Sequence, residues 1–148
     1  MAAERMTRAE NPHVASDRFY EALERMANGD AGLMEVCWSH SDDVTTMHPI
    51  GGREEGWDAV RDSWAGVAEL ASNGSVTRTD QLVRTSGELA CELVTETVSM
   101  DLGGHALHAE FRATNVYRLE DGDWKIIHHH ADANQEFQDI LAQLTTAE

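Results

Sequence analysis

An α+β fold, a cone-shaped curved antiparallel sheet with three N-terminal helices covering its concave face, is predicted by three features of the chain. Apolar residues recur at helical spacing through the first half, and from Ser75 onward the composition shifts to Val, Thr, Leu and Tyr in long strand-like runs. The turns between those runs, "SG", "DLGG" and "EDGD", are short enough for hairpins. Helices followed by sequential antiparallel strands is the order in which helices segregate to one face of a sheet. A chain of 148 residues suits a single domain over 1–148, long enough to bury a core.

The elements follow in order. After Pro12, the residues Phe19, Ala22, Leu23 and Met26 form one helical stripe, and Asn28-Gly29 supply residues tolerant of a left-handed C-cap. Asp30 can cap a short second helix carrying Leu33, Met34, Cys37 and Trp38. "VTTMH" reads as a short strand with Val44, Thr46 and His48 on one face and Thr45 and Met47 on the other, ended by Pro49. "IGGREEG" is a turn with a short return strand. From Trp57 a third helix aligns Trp57, Val60, Trp64, Val67, Ala68 and Ala71, with Asn73-Gly74 as its end. Strands are expected near 75–86, 88–101, 105–119 and 123–131, and "NQEFQDILAQL" reads as a short amphipathic helix or tail.

The last hairpin carries the residues of interest. Asp121-Gly122 is a type I′ turn signal that pairs Glu120 with Asp123. Counting outward at regular register sets Tyr117 opposite Ile126, Asn115 opposite His128 and Ala113 opposite His130. Directly opposed residues share a face, so His128 and His130 are expected on the side of Phe111, Asn115 and Tyr117. His129 then points the other way with Arg112, Thr114, Lys125 and Ile127. A slip of one residue would exchange the two sets.

Composition narrows the partners. Eleven Lys plus Arg against twenty-seven Asp plus Glu give a formal charge of −16, which repels nucleic-acid phosphate and anionic membranes, and no local basic patch offsets it. No stretch approaches a membrane span, and the first fifteen residues lack the apolar run of a signal peptide. Cys37 and Cys91 sit in apolar contexts without metal-ligand spacing and read as small buried hydrophobes in a reducing, cytoplasmic setting.

Three readings of the histidines are open at this stage. His48, His128 and His130 could meet as a trio of metal-ligating imidazoles, act in proton transfer or ligand binding, or satisfy structural hydrogen bonds. Residues two apart on a strand lie ~6.6–6.8 Å apart, so a metal trio needs the strand to bend, and neither a metal nor another cofactor is assigned. Trp38, Trp57, Trp64 and Trp124 fall at core spacing, with one or two of them able to line a cavity.

The order of elements, with "DDVTTMHPIGGREEGWDAV" after helix two and "RLEDGDWKIIHHHAD" at the end, resembles the nuclear transport factor 2-like superfamily over almost the whole chain. Within it the chain is similar to SnoaL-like and ketosteroid isomerase-like proteins, and to the association domain of calcium/calmodulin-dependent protein kinase II. The resemblance to the isomerases implies that His48 stands where their strand ends in the proton-abstracting Asp, and that Asn115 stands near the position of an acid that stabilises the developing enolate. Their helix-one tyrosine aligns near Ala22, two residues from Tyr20. A third similarity, to iota-class carbonic anhydrases ending in His-His-His-Ser-Ser, departs at Ala131-Asp132.

The resulting expectation is a small-molecule enzyme for proton abstraction, leading to isomerisation, cyclisation or dehydration. His48 is the general base, Asn115 and His128 are the other catalytic groups, and Tyr20, Trp38, Trp57, Trp64, Phe111, Tyr117 and His130 bind substrate. The alternative is a binding or assembly module using the same pocket without turnover. The resemblance implies a homodimer formed through the face of Arg112, Thr114, Ile127 and His129.

Overall fold

The structure is a computed structural model that describes residues 8–146. Helix α1 (Pro12–Met26) and the single turn α2 (Met34–Cys37) lead to strands β1 (Thr45–Met47) and β2 (Glu54–Glu55). Helix α3 (Trp57–Leu70) then precedes β3 (Ala71–Ser86), β4 (Leu89–Leu102), β5 (His105–Glu120) and β6 (Asp123–Ala131), and α4 (Gln135–Thr146) ends the described chain. One curved, open six-stranded sheet runs in the order β2-β1-β6-β5-β4-β3. The α+β class and the N-terminal helices are as expected. One pairing departs from an all-antiparallel sheet, since β1 lies parallel to β6 with Thr46 beside His129.

Helix α1 forms where the apolar stripe predicts. Asn11 caps it by accepting from the Val14 backbone N–H at 2.9 Å, Pro12 occupies the first turn, where its missing N–H costs nothing, and Phe19, Ala22, Leu23 and Met26 are buried. The second helix is shorter than expected, and Asp30 does not cap it. Its carboxylate instead accepts from the Gly32 N–H, and the N-cap position of α2 is Leu33.

Asn73-Gly74 does not end α3 either. That helix stops at Leu70 and the chain passes directly into β3, where a register shift lies between Ser72 and Ser75. Gly74 has another purpose. The Asn28 side chain donates to the Gly74 carbonyl and accepts from its N–H, both at 2.9 Å, drawing β3 against the end of α1. A Cβ on Gly74 would lie 2.3 Å from the Ala27 Cβ and 2.4 Å from the Ala27 carbonyl oxygen. Gly74→Ala is therefore expected to destabilise the fold by about 1–3 kcal/mol, measured by urea unfolding; a loss below about 0.5 kcal/mol, the range of an innocuous surface change, would contradict this packing.

The β5–β6 hairpin decides which histidines face inward. Pairing follows the expected register from Glu120↔Asp123 to Tyr117↔Ile126 and then shifts, so that Val116 opposes His128, Asn115 opposes His129 and Thr114 opposes His130. Ile127 is the extra residue of a β-bulge, which exchanges the faces of everything beyond it. His129 is thus the inward histidine and is buried with Asn115, whereas His128 is half-buried and His130 exposed on the outer face. The expected inward pair and outward single histidine are reversed.

The inward faces of β3–β6 and the buried sides of the helices make one core, in which Phe19, Trp38, Trp64, Tyr117 and Ile126 are prominent. Two acidic residues share it. On β4 every second residue from Ala90 to Leu102 is buried, and this series includes Glu92 and Glu96. Cys37 is buried as expected, and burial pushes its thiol up to about 12. Cys91 is only half-buried, because its place on β4 alternates with the core positions.

Candidate active site

A cavity of about 50 Å³ opens between α1, α3 and the inward face of the sheet, several times the ~10–15 Å³ that one water needs. Its walls are apolar, with Leu23 and Met26 from α1, Trp64 and Val67 from α3, Val98 and Met100 from β4, Phe111 from β5 and Phe137 from α4. Among the described residues three titratable side chains line it, His48, Glu96 and His129, and they are 6 %, 4 % and 2 % exposed. The parallel pairing of β1 with β6 brings the histidines together. Thr46 sits beside His129, and His48, two residues further on the same face, follows along it. Both imidazoles pack on Trp64, with ring centroids 4.5 Å away for His48 and 5.6 Å for His129.

Behind the cavity lies a directed run of hydrogen bonds. The Nδ1 of His129 is 2.6 Å from Asn115 Oδ1. Asn115 Nδ2 donates to the Tyr20 hydroxyl at 3.0 Å, and that hydroxyl donates to Glu96 Oε2 at 2.6 Å. The run starts and ends at the cavity wall. A second buried carboxylate anchors it from behind. Glu92 Oε1 accepts from Asn115 Nδ2 at 3.0 Å and Tyr117 at 2.7 Å, and its Oε2 accepts from Ser16 at 2.5 Å and Gln81 at 2.6 Å. Arg78 adds positive charge 4.0 Å from Glu92 Oε2 and stands 5.0 Å over the Tyr20 ring.

Burial sets the protonation states. Desolvation raises the Glu96 carboxyl to about 7 against the opposing hydrogen bond from Tyr20, with the charge of Glu92 adding to the rise. Desolvation lowers His48 to about 4. It also holds His129 well below the ordinary imidazole value, with the neighbouring histidines adding to the effect. Tyr20 and Tyr117 are both pushed upward by burial, and then by Glu96 and Glu92 respectively, so they stay protonated as donors.

These shifts give a pH dependence with a definite sign. Between about 6.5 and about 4 an unfolded imidazole binds a proton that folded His48 refuses, so its contribution to stability is present above 6.5 and is lost as pH falls. His129 acts in the same direction. Glu96 opposes them, because its folded form holds a proton between 4.5 and about 7 that the unfolded form releases. The half-buried His128, lowered by burial and by His130, adds to the same side. Three histidines against one carboxyl leave a net rise of melting temperature from pH 4.5 to 6.5, and His48→Gln should reduce it. Melting curves across that range, with a flat or falling wild-type trend as the contrary result, check the balance.

The expected site residues divide clearly. His48, Trp64 and Phe111 line the cavity. Asn115, Tyr20 and Tyr117 are buried behind it and spend their polar atoms on one another, on the two glutamates and, from Asn115 Oδ1, on His129. Trp38 is fully buried against Phe19 and Trp64. Trp57 stacks on His40 with centroids 4.5 Å apart and lies outside the cavity. The bulge places His128 against Thr45, its Nδ1 at 2.6 Å from the hydroxyl, and His130 beside Arg112, Thr114 and Asp132 on the outer face. His48, His128 and His130 therefore do not converge, and among the described residues no three His, Cys, Asp or Glu groups could hold a metal ion.

Two cavity groups differ from the expected set: Glu96, which the residue pattern left unassigned, and His129, which it placed on the outer, dimer-forming face. Period two along "LACELVTETVSMDL" puts Glu96 on the face of Val94, Val98 and Met100, a signal present in the sequence. For His129 no such signal exists, since nothing in "WKIIHHHAD" marks Ile127 as the bulged residue.

Solved structures share this architecture. A protein of the nuclear transport factor 2-like family from Streptomyces avermitilis, provisionally assigned as a dehydratase, is 25 % identical with a TM-score of 0.70, covering 83 % of this chain and 93 % of that one. A provisionally assigned calcium/calmodulin-dependent protein kinase type II association domain from Thiobacillus denitrificans is 28 % identical with a TM-score of 0.64, over 84 % and 96 % of the two chains. A provisionally assigned ketosteroid isomerase from Parabacteroides distasonis, 21 % identical with a TM-score of 0.64 over 89 % and 98 %, shares the fold. Among curated proteins none matches the chain. The family model of the SnoaL-like domain matches residues 15–132, most of the chain including every strand and the three cavity side chains, and the protein belongs to the SnoaL-like domain family within the nuclear transport factor 2-like superfamily.

Proposed function

We propose that the protein is a small-molecule enzyme of the proton-transfer type, an isomerase or dehydratase, with Glu96 as the group that exchanges the proton. The observation that carries this reading is a buried carboxyl on an apolar cavity wall, held at one oxygen by Tyr20 and raised to about 7. Such a group populates both protonation states near neutrality, which is what a general acid–base needs. No side chain among the described residues donates to its Oε1, so that oxygen is left for a ligand. The role first given to His48 passes to Glu96, because an imidazole lowered to about 4 takes up a proton poorly at neutral pH. His48 remains a ligand-contacting group, and Asn115 becomes a positioning residue.

A homodimer through the outer sheet face belongs to the same proposal. Leu82 and Leu93 face each other across β3 and β4 and are 41 % and 43 % exposed, a pattern that favours a covered surface. With the bulge accounted for, its histidines are His128 and His130. No described helix is long and apolar enough to cross a membrane, and free thiols at Cys37 and Cys91 fit the proposed cytoplasmic setting.

The test uses a panel of small β,γ-unsaturated and β-hydroxy ketones in deuterated water, followed by proton NMR. Removal of the proton beside the carbonyl is common to isomerisation and dehydration, so it is visible before the natural substrate is known. Turnover that Glu96→Gln lowers by ~100-fold or more supports the reading. Turnover indifferent to that change removes Glu96 from the role, and binding without any turnover would leave the module reading in its place.

A further inference from the structure

The hydrogen-bond directions behind the cavity fix which nitrogen of each buried imidazole carries its proton. Asn115 Nδ2 faces a carboxylate oxygen and a tyrosine hydroxyl whose own proton goes to Glu96, so it is the donating end of the amide. Asn115 Oδ1 is then an acceptor, and the 2.6 Å contact requires the proton on His129 Nδ1. At His48 the logic is the same. Ser63 donates to the Val60 carbonyl at 2.7 Å, and in that arrangement its oxygen accepts from His48 Nε2 at 2.9 Å. Each neutral ring keeps one bare nitrogen, Nδ1 in His48 and Nε2 in His129. Neither has a hydrogen-bond partner among the described residues, and neither is among the polar atoms sealed from water-sized contact. The Trp64 indole N–H also lacks a partner, but it is sealed in this way.

We infer that the cavity is an acceptor site, which takes a compact, uncharged organic molecule bringing hydroxyl donors to Nδ1 of His48 and Nε2 of His129. Among the described residues the walls around these two nitrogens are apolar and carry no Lys or Arg that would hold an anion. A ligand carrying only carbonyl acceptors meets bare nitrogens, and its oxygen loses water without a replacement donor. A ligand with two hydroxyl donors satisfies both nitrogens at once. For the reaction class this rests on Glu96 as the proton-transfer group, and it selects dehydration of a hydroxylated substrate over isomerisation of a carbonyl-only one. In that step the Glu96 carboxylate takes the proton from carbon, the C–H pair becomes the new C=C bond, the C–O bond breaks toward oxygen, and the same proton leaves with the hydroxyl as water.

The binding claim is testable without a substrate, on the full chain labelled with ¹⁵N-histidine. Phenol and toluene serve as probes of nearly equal shape, one with a donor and one without. The free protein should show two neutral rings of opposite tautomer, His129 protonated on Nδ1 and His48 on Nε2, with His48 assigned by loss of its signals in His48→Gln and His129 through coupling to its backbone. Phenol should bind roughly tenfold more tightly than toluene and, having one hydroxyl proton to give, shift at least one of the two bare-nitrogen resonances. Reversed tautomers, or toluene binding as tightly as phenol with those resonances unmoved, overturns the inference. The same phenol shifts should persist in Glu96→Gln. A failure of the acceptor site would therefore appear in the nitrogen spectra, and a failure of the Glu96 reading in the turnover assay.

Discussion

Replacing Glu96 by glutamine is expected to lower proton-transfer turnover by ~100-fold or more and to leave the fold at least as stable as the wild type above neutral pH. The two halves of this result have separate causes. Turnover falls because an amide cannot take up or release the proton. Stability holds because the glutamine oxygen can still accept from Tyr20, and because the variant no longer buries a charge. The sign follows from the raised pKa. Folded Glu96 holds its proton up to about 7 whereas the unfolded carboxyl releases it near 4.5, so the wild type loses stability as pH rises through that interval and carries the penalty above it. Glutamine has no such penalty. Turnover measured beside melting temperature at pH 8 checks both halves, and a variant that is inactive and also strongly destabilised would show that Glu96 is structural.

Glu92 presents the opposite case. Replacing it by leucine removes an acceptor from three buried donors, Ser16, Asn115 and Tyr117, and from the exposed Gln81, and leaves Arg78 without its inner partner. Each orphaned buried donor costs about 1–3 kcal/mol, and breaking a buried charged network costs about 3–5 kcal/mol, non-additively. At 2–4 °C per kcal/mol for a chain of this size, the melting temperature should fall by roughly 10 °C or more. Ligand contact suffers as well, since Asn115 orients both Tyr20 and His129. Glu92→Gln keeps the shape and one acceptor oxygen and should fall between wild type and leucine. A leucine variant within about 1 kcal/mol of wild type by urea unfolding would mean that the network is dispensable.

The two glutamates differ in what surrounds them. Among the described residues Glu92 receives four side-chain hydrogen bonds and stands behind the wall of this cavity, whereas Glu96 receives one and lines it. The first arrangement builds a scaffold, and the second leaves a reactive group open to a ligand.

Much of this architecture is legible in the residue order. The stripe of Phe19, Ala22, Leu23 and Met26, the alternation of the long strands and the Asp121-Gly122 turn lead to the observed elements, because each depends on contacts within a few residues. The alternation also contains Glu92 and Glu96, which are easily passed over because acidic side chains are ordinarily at the surface. What is not legible depends on distant contacts. The bulge at Ile127 is settled jointly by the turn register, by Trp124 and Ile126 seeking the core, and by pairing with β1 on the other edge of β6. A single inserted residue then exchanges His129 for His128 and His130, and with them the cavity face for the outer one. Gly74 shows the same limit. Beside Asn73 it resembles a helix stop, but its need for a bare Cα comes from Ala27, far away in sequence.

The central claim is that Glu96 is a proton-transfer group poised by burial. It is tested most directly by the pH at which its carboxyl titrates in the folded protein, read from ¹³C-carboxyl NMR with Glu96→Gln to assign the signal. Titration near 7 is predicted; titration at the ordinary carboxylate value of about 4.3 would contradict it.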